Sequence, residues 1–425
     1  MRQERNNIFV GIDWITVILY IILIIFGWVN IYAASSNEID NEIFNFSTRY
    51  GKQLIWIALS IPIIIFVLFF NSKFYETFSS ILYVISILFL IGVLIFGKKI
   101  NGATSWYSFG GIGLQPSEFT KAFTALALAK LMSDRQYNLD LLKNQIKAFI
   151  IIFLPAFFIA LQPDMGSVLI YFSFFFVLNR EGLTLTYIIL GTFSILLFLL
   201  TISFGVATVL IISLILISTY ILYAIYKDKR FIRFNIFKVI GTYLITSIFI
   251  VGIGYIYNNV IEQHQKDRFD ILLGKIKDNT GIGYNTYQAE LTISSGGFSG
   301  KGFLKGDRTQ GNFVPEQDTD YIFSTVCEEW GFLGSSSVII IFSLFLFRII
   351  YLAEKQTNKF GRIYGYGVVS IFFFHIIVNI GMVIGILPTI GIPLPFFSYG
   401  GSSLWGFTLL LFIFIRLDAH KSYDL

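Results

Sequence analysis

WITVILYIILIIFGWVNIYAA, Trp14 to Ala34, runs for twenty-one residues without a charged side chain. A helix needs roughly 20 apolar residues to cross the hydrocarbon core of a bilayer, so this stretch reads as a membrane span. Arg2 and Arg5 precede it and Tyr32-Ala33-Ala34-Ser35 closes it, the order of a signal peptide. The apolar run is too long for the middle of a signal, however, and reads as an uncleaved first helix.

The same pattern recurs along the chain. Further apolar runs lie near 53–70, 78–96, 117–132, 147–162, 166–179, 186–203, 205–226, 236–257, 334–352, 364–388 and 401–416, about twelve in all. With 425 residues, 55% of them hydrophobic and only 13% charged, the chain lies far outside soluble composition. The expected fold is an all-α polytopic integral membrane protein of about 12 transmembrane helices, forming one membrane domain over 1–425. A large extracytoplasmic loop, 258–333, precedes the tenth helix.

Orientation follows from the distribution of Lys and Arg rather than from the net charge of +5. With both termini in the cytoplasm, Lys73, Arg135, Lys143, Arg180, the cluster Lys227 to Arg233, and Arg348 to Arg362 all fall inside. Few basic residues beyond Arg49, Lys52, Lys98 and Lys99 fall in the short outer loops. One cysteine, Cys327, excludes an internal disulfide, and three scattered histidines suggest neither a zinc site nor a triad. Nothing resembles a nucleic-acid module. Gly296 to Lys301, GGFSGK, lacks the spacing of a phosphate loop, so there is no ATP site.

Every polar motif falls on the outer side, which suggests the walls of one external cavity. Glu118 and Lys121 share a helix face three residues apart; they are a structural ion pair or a functional one. Asp164, after Pro163, is a helix N-cap or a cavity residue. Trp106 marks the interface or stacks on a sugar. In GGFSGKGFLKGDRTQGNFVPEQDTDYIFSTVCEEWGFLG, Gly296 to Gly334, Asp320 stands where polar sequence turns apolar. Partial desolvation there would make it a better base, with Asp318 adding to the effect; the alternative is a helix cap.

At these residues the chain resembles the SEDS family of peptidoglycan polymerases, the RodA, FtsW and SpoVE family. The likeness rests on Asn101-Gly102-Ala103 with Trp106, Gln115-Pro116-Ser117-Glu118 with Lys121, Gln162-Pro163-Asp164, Gly296-Gly297 with Gly300-Lys301-Gly302, and Pro315-Glu316 with Thr319-Asp320. It continues through Glu328-Glu329 and the run Asn379 to Ser403, with Pro395, Ser398 and Gly400 in place. Pro393-Leu394-Pro395 and Arg308-Thr309-Gln310 favour the RodA branch. Asp318 departs from the family's usual His, and 183–257 would add a helical hairpin to a ten-helix fold.

The resemblance implies a glycosyltransferase that polymerises lipid II at the outer face of the bacterial cytoplasmic membrane during elongation, with Asp320 as general base. Trp106, Glu118, Lys121, Asp164, Arg268 and Arg308 would bind substrate, and Gln115, Glu316, Thr319, Asn379, Pro395, Ser398 and Gly400 would line the cavity. It leaves room for a divalent cation at the lipid diphosphate, with no ligands assigned. Expected partners are lipid II, the growing glycan strand, a class B penicillin-binding protein and the elongation machinery. The competing readings are a lipid II flippase, a division polymerase of the FtsW kind, and an inactive scaffold.

Overall fold

A computed structural model describes residues 11–36, 44–100, 102–110, 112–227, 229–259, 261, 263–275, 281 and 283–420. Two compact units emerge, Met1–Leu183 with Tyr284–Leu425, and Thr184–Gly283.

The first unit holds α1 (Trp14–Ser35), α2 (Arg49–Phe69), α3 (Ser72–Phe96), α4 (Pro116–Ser133), α5 (Leu142–Ala160), α6 (Met165–Ile170) and α7 (Phe174–Arg180). Among the described residues, the second holds α8 (Thr186–Phe204), α9 (Val206–Lys227), α10 (Lys229–Asn259) and α11 (Gln263–Leu272). The first unit resumes with α12 (Tyr284–Ser295), α13 (Asp307–Gln310), α14 (Ile322–Glu354), α15 (Lys359–Val383) and α16 (Gly401–His420). Ten of these helices are long and apolar enough to cross a membrane. The chain is a multi-pass membrane protein.

The two remaining apolar runs of the sequence take other forms. Residues 165–180 form a short helical segment interrupted by a 3-10 turn at Tyr171–Ser173. α4 is the central helix, in contact with α3, α5, α15 and α16 and buried on most sides. Its Ala122, Ala125, Ala127 and Ala129 are all buried, and small residues of this kind let helix backbones approach closely. Gly406 shows how closely: a Cβ there would meet the Glu118 carbonyl oxygen at 2.9 Å.

The segment before α4 forms a small sheet. Strands β1 (Lys98–Ile100), β2 (Ala103–Phe109) and β3 (Ile112–Leu114) pair antiparallel in that order. Thr104, Trp106, Tyr107 and Phe109 are β-formers, and Gly110 turns the chain at φ 54°. The sheet is the one β element among the described residues of an otherwise helical protein.

The ends of the first unit are bonded differently. At one end lie the basic connections: Arg348 pairs with Asp13, Arg180 with Glu354 and Arg362 with Glu181, while Arg416 caps the Phe70 carbonyl. At the other end the motif-bearing segments are joined chiefly by hydrogen bonds to backbone carbonyls.

α14 is not one rod. Gly331, at φ 64° and ψ −160°, breaks it in a conformation essentially restricted to glycine. The break leaves the Glu328 and Glu329 carbonyls to accept from Lys301 N–H (3.0 Å) and Gly302 N–H (2.9 Å). Phe332 and Leu333 N–H donate back to Gly297 and Phe298. The glycines of GGFSGKG therefore serve backbone-to-backbone contact: a Cβ on Gly331 would lie 2.2 Å from the Gly300 nitrogen.

Candidate active site

Asp320 lies in the turns immediately before α14, half-buried, and its position is fixed through the backbone. Asn379 Nδ2, on α15, donates to the Asp320 carbonyl at 2.8 Å and to the Ile392 carbonyl at 2.7 Å. Ser398 Oγ donates to the Thr319 carbonyl at 2.6 Å and accepts Leu394 N–H at 2.8 Å. The carbonyls of Thr319 and Asp320 are thus each held by a side chain from the last signature. Tyr399 N–H donates to the Asp318 carbonyl and Gly400 N–H to Gln53 Oε1. Pro395 is buried within this loop.

Asp318 is buried and receives Arg49 Nη1 at 2.5 Å; Arg49 also reaches Glu316 at 3.8 Å. Burial pushes the Asp318 carboxyl above the ordinary aspartate value, while the guanidinium pulls it back. This changes the expected influence on Asp320, because the negative charge of Asp318 is compensated by Arg49. Sequence order gave no sign of this pairing, since the partners stand 269 residues apart. Glu316, at φ 57°, accepts from Thr319 Oγ1 at 3.0 Å and so tightens the turn before Asp320.

Beneath this turn lies a buried ionic group. Lys121 Nζ is 2.8 Å from Glu118 Oε2 and 3.0 Å from His375 Nε2, and all three side chains are buried. Lys121 also stands 5.0 Å from the centre of the Phe407 ring, and His375 meets that ring edge-on. The pairing within α4 follows from its three-residue spacing. The scattered histidines gave no sign of this contact in the sequence; the available signal is the place of His375 four residues before Asn379, on the same helix face.

Asp164 caps α6, accepting Ser167 N–H at 3.1 Å, Ser167 Oγ at 2.8 Å and Gln115 Nε2 at 2.9 Å. Gln115 N–H donates to Ser402 Oγ, tying the start of α4 to α16. Trp106, on β2, packs over Gly113, where a Cβ would lie 2.9 Å from the ring.

Glu328 is fully buried, and its carboxylate receives Lys301 Nζ (2.8 Å), Ser295 Oγ (3.1 Å), Arg308 N–H (3.1 Å), Thr309 N–H (2.8 Å) and Thr309 Oγ1 (2.7 Å). Arg308 binds Thr292 Oγ1 at 3.2 Å and Gln288 Oε1, with its guanidinium over Phe313. Arg268 belongs to the second unit and is exposed on α11.

The 390–400 loop backs onto the half-buried Asp320 carboxylate at Gly391 and is met in turn by Gly166 and, through His375, by Lys121, so that the carboxylate stands on a fixed backbone. That is what a general base requires. No group of three or more His, Cys, Asp or Glu that could hold a metal ion occurs among the described residues. Asp318, the carboxylate nearest Asp320 in sequence, is taken by Arg49.

The sequence profile of the FtsW, RodA and SpoVE cell cycle proteins matches residues 13–238 and 236–423. The chain is 29% identical to the peptidoglycan glycosyltransferase RodA of Treponema pallidum, over 96% of this chain and 98% of that one. It is 30% identical to the peptidoglycan glycosyltransferase MrdB of Escherichia coli K12, over 93% of this chain and 90% of that one. Among solved structures, a chain of a peptidoglycan synthase complex that coordinates polymerization and crosslinking superposes with TM-score 0.72 at 24% identity, covering 96% of this chain and 98% of that one. RodA of Thermus thermophilus gives 0.64 at 22% identity, covering 98% and 99% respectively. These last two likenesses are of fold. Matched by the profile over nearly its whole length, the chain belongs to the FtsW/RodA/SpoVE family of cell cycle proteins.

Proposed function

We propose that this chain is a peptidoglycan glycosyltransferase of the RodA kind, polymerising lipid II at the outer face of the bacterial cytoplasmic membrane during elongation. The observation that carries the reading is the double clamp on the Asp320 backbone: Ser398 holds the preceding carbonyl and Asn379 holds its own, which fixes the turn that bears the carboxylate.

In the proposed step, the Asp320 carboxylate takes the proton of the acceptor's sugar 4-hydroxyl. That oxygen forms a bond to the anomeric carbon of the growing strand, the bond from this carbon to the lipid diphosphate breaks, and the diphosphate leaves with the electron pair. A positioned base contributes about 10² to 10⁴ in rate. Alignment of the two substrates supplies a further share. Arg49, with a half-exposed guanidinium beside Asp318, is the cation nearest the reacting turn among those whose contacts are described above.

The basic connections gathered at one end of the first unit support a cytoplasmic placement for that end and for both termini, with the Asp320 end outside. A class B penicillin-binding protein would crosslink the strands, and the elongation machinery would localise the pair. The flippase reading is weaker. A transporter's ionisable groups belong near the bilayer midplane, whereas those of the motifs here gather at one end.

The deciding experiment compares lipid II polymerisation by the purified protein with its penicillin-binding partner against Asp320→Ala and Asp320→Asn. Loss of polymer with retained folding supports the base assignment. Polymer made by Asp320→Asn removes it, and lipid II crossing vesicle membranes without polymer installs the flippase instead.

A further inference from the structure

The step above does not use His375, yet the structure fixes its chemical state. Its Nε2 lies 3.0 Å from Lys121 Nζ and its Nδ1 lies 3.2 Å from the Pro393 carbonyl oxygen. An ammonium has only donors and a carbonyl only accepts. Nε2 must therefore be the bare nitrogen and Nδ1 must carry the hydrogen. An imidazolium would set two donors against each other inside a buried site.

The consequence reaches Asp320 through the loop. His375 and Asn379 stand one helical turn apart on α15, on the same face. Asn379 holds the Ile392 carbonyl and His375 the next one, Pro393. Just before them, Gly391 backs onto the catalytic carboxylate: a Cβ built there would lie 3.3 Å from Asp320 Oδ2. Gly391 has φ 76°, so the loop reaches this contact in a conformation that suits glycine. Lys121, buried and bonded to both Glu118 and His375, is placed to orient the imidazole.

We propose that His375, in its neutral Nδ1-protonated form, is a positioning residue that sets residues 390–394 against the Asp320 carboxylate, so that the Glu118–Lys121 pair acts on the reaction through this loop. The effect on turnover rests on the polymerase reading; the tautomer and the loop contact do not.

Two measurements separate the parts. In the full-length protein in bilayers, nitrogen NMR of labelled histidine, assigned by loss of the signal in His375→Gln, is expected to show a bare Nε2 and a protonated Nδ1. The Nε2 signal should move in Lys121→Met. A protonated Nε2, an imidazolium, or no response to Lys121→Met overturns the proposal whether or not the protein polymerises anything.

In lipid II polymerisation, His375→Leu should lower kcat by about tenfold or more with KM held within about twofold, since small misplacements near a reacting centre can cost about 10²-fold. His375→Gln can accept from Lys121 and donate to Pro393, and it should recover most of the loss. Normal turnover in His375→Leu, or failure of a folded His375→Gln to recover, overturns the positioning role. If wild type makes no polymer while the NMR result holds, the functional reading falls and the loop link stands.

Discussion

Asn379 grips Asp320 by the main chain: Nδ2 donates to the Asp320 carbonyl at 2.8 Å and shares its second hydrogen with Ile392. Both partners are carbonyls, so the orientation of the amide is determined by what it touches. Asn379→Leu should leave two carbonyls unpaired, at about 1–3 kcal/mol for each group that stays buried. Asn379→Asp should fare no better, because an ionised carboxylate has nothing to donate. Thermal unfolding in detergent alongside lipid II polymerisation checks this; a fully active Asn379→Asp would contradict the clamp.

The break at Gly331 makes a second prediction. Any side chain there meets the Gly300 backbone and must also hold a strained φ, at a cost of about 1–3 kcal/mol for the backbone alone. Gly331→Ala should lower the melting temperature clearly, and Gly300→Ala should do likewise. Gly191, where a Cβ would meet nothing within 4 Å, should tolerate Ala and serves as the control.

Glu328 gathers five hydrogen bonds from α12, Lys301 and the start of α13. Glu328→Gln removes the charge that these donors share, and hydrogen bonds to charged groups are worth about 1.5–3 kcal/mol. Lys301→Met removes a single, partly exposed donor and should cost less. Limited proteolysis between 296 and 312 should detect opening in Glu328→Gln first. Equal cleavage of both variants and wild type would remove Glu328 as the hub.

Asp318 gives a pH prediction. Burial raises its carboxyl above the usual value of 3.8, and Arg49 opposes that shift. A raised carboxyl stabilises the fold fully below the unfolded value and loses that contribution as pH rises through the folded one. Arg49→Gln removes the opposing charge and should make melting temperature fall more steeply than in wild type as pH rises above about 4. Adding Asp318→Asn should flatten the curve. An unchanged slope in Arg49→Gln would show that Arg49 does not compensate Asp318.

The spans were legible because uninterrupted apolar runs leave few alternatives, and Glu118 with Lys121 was legible because helical spacing alone brings them together. Of the two readings of Asp164, cap or cavity residue, the cap is present, with Ser167 N–H donating to its carboxylate. Other relationships join residues that no local pattern relates: Lys121 meets His375 across 254 positions, and Arg49 meets Asp318 across 269. The sheet at 98–114 is hard to read from the sequence because glycines punctuate it, although the aromatic residues between them favour strands. Arg308 donates to Thr292 and Gln288, and Lys301 to Glu328 and Asp307, partners that the sequence order does not disclose.

The interruption of α14 also bears on how the helix fits a bilayer. At 1.5 Å per residue, an unbroken helix of 33 residues would run to about 50 Å, well beyond the roughly 30 Å of a bilayer core. The 23 residues after Gly331 are long enough to cross by themselves and carry the apolar signal for insertion. Glu328 and Glu329 lie before the break, where residues 295–309 supply their hydrogen-bond partners in place of lipid. The break thus divides α14 into a part fitted to lipid and a part fitted to protein.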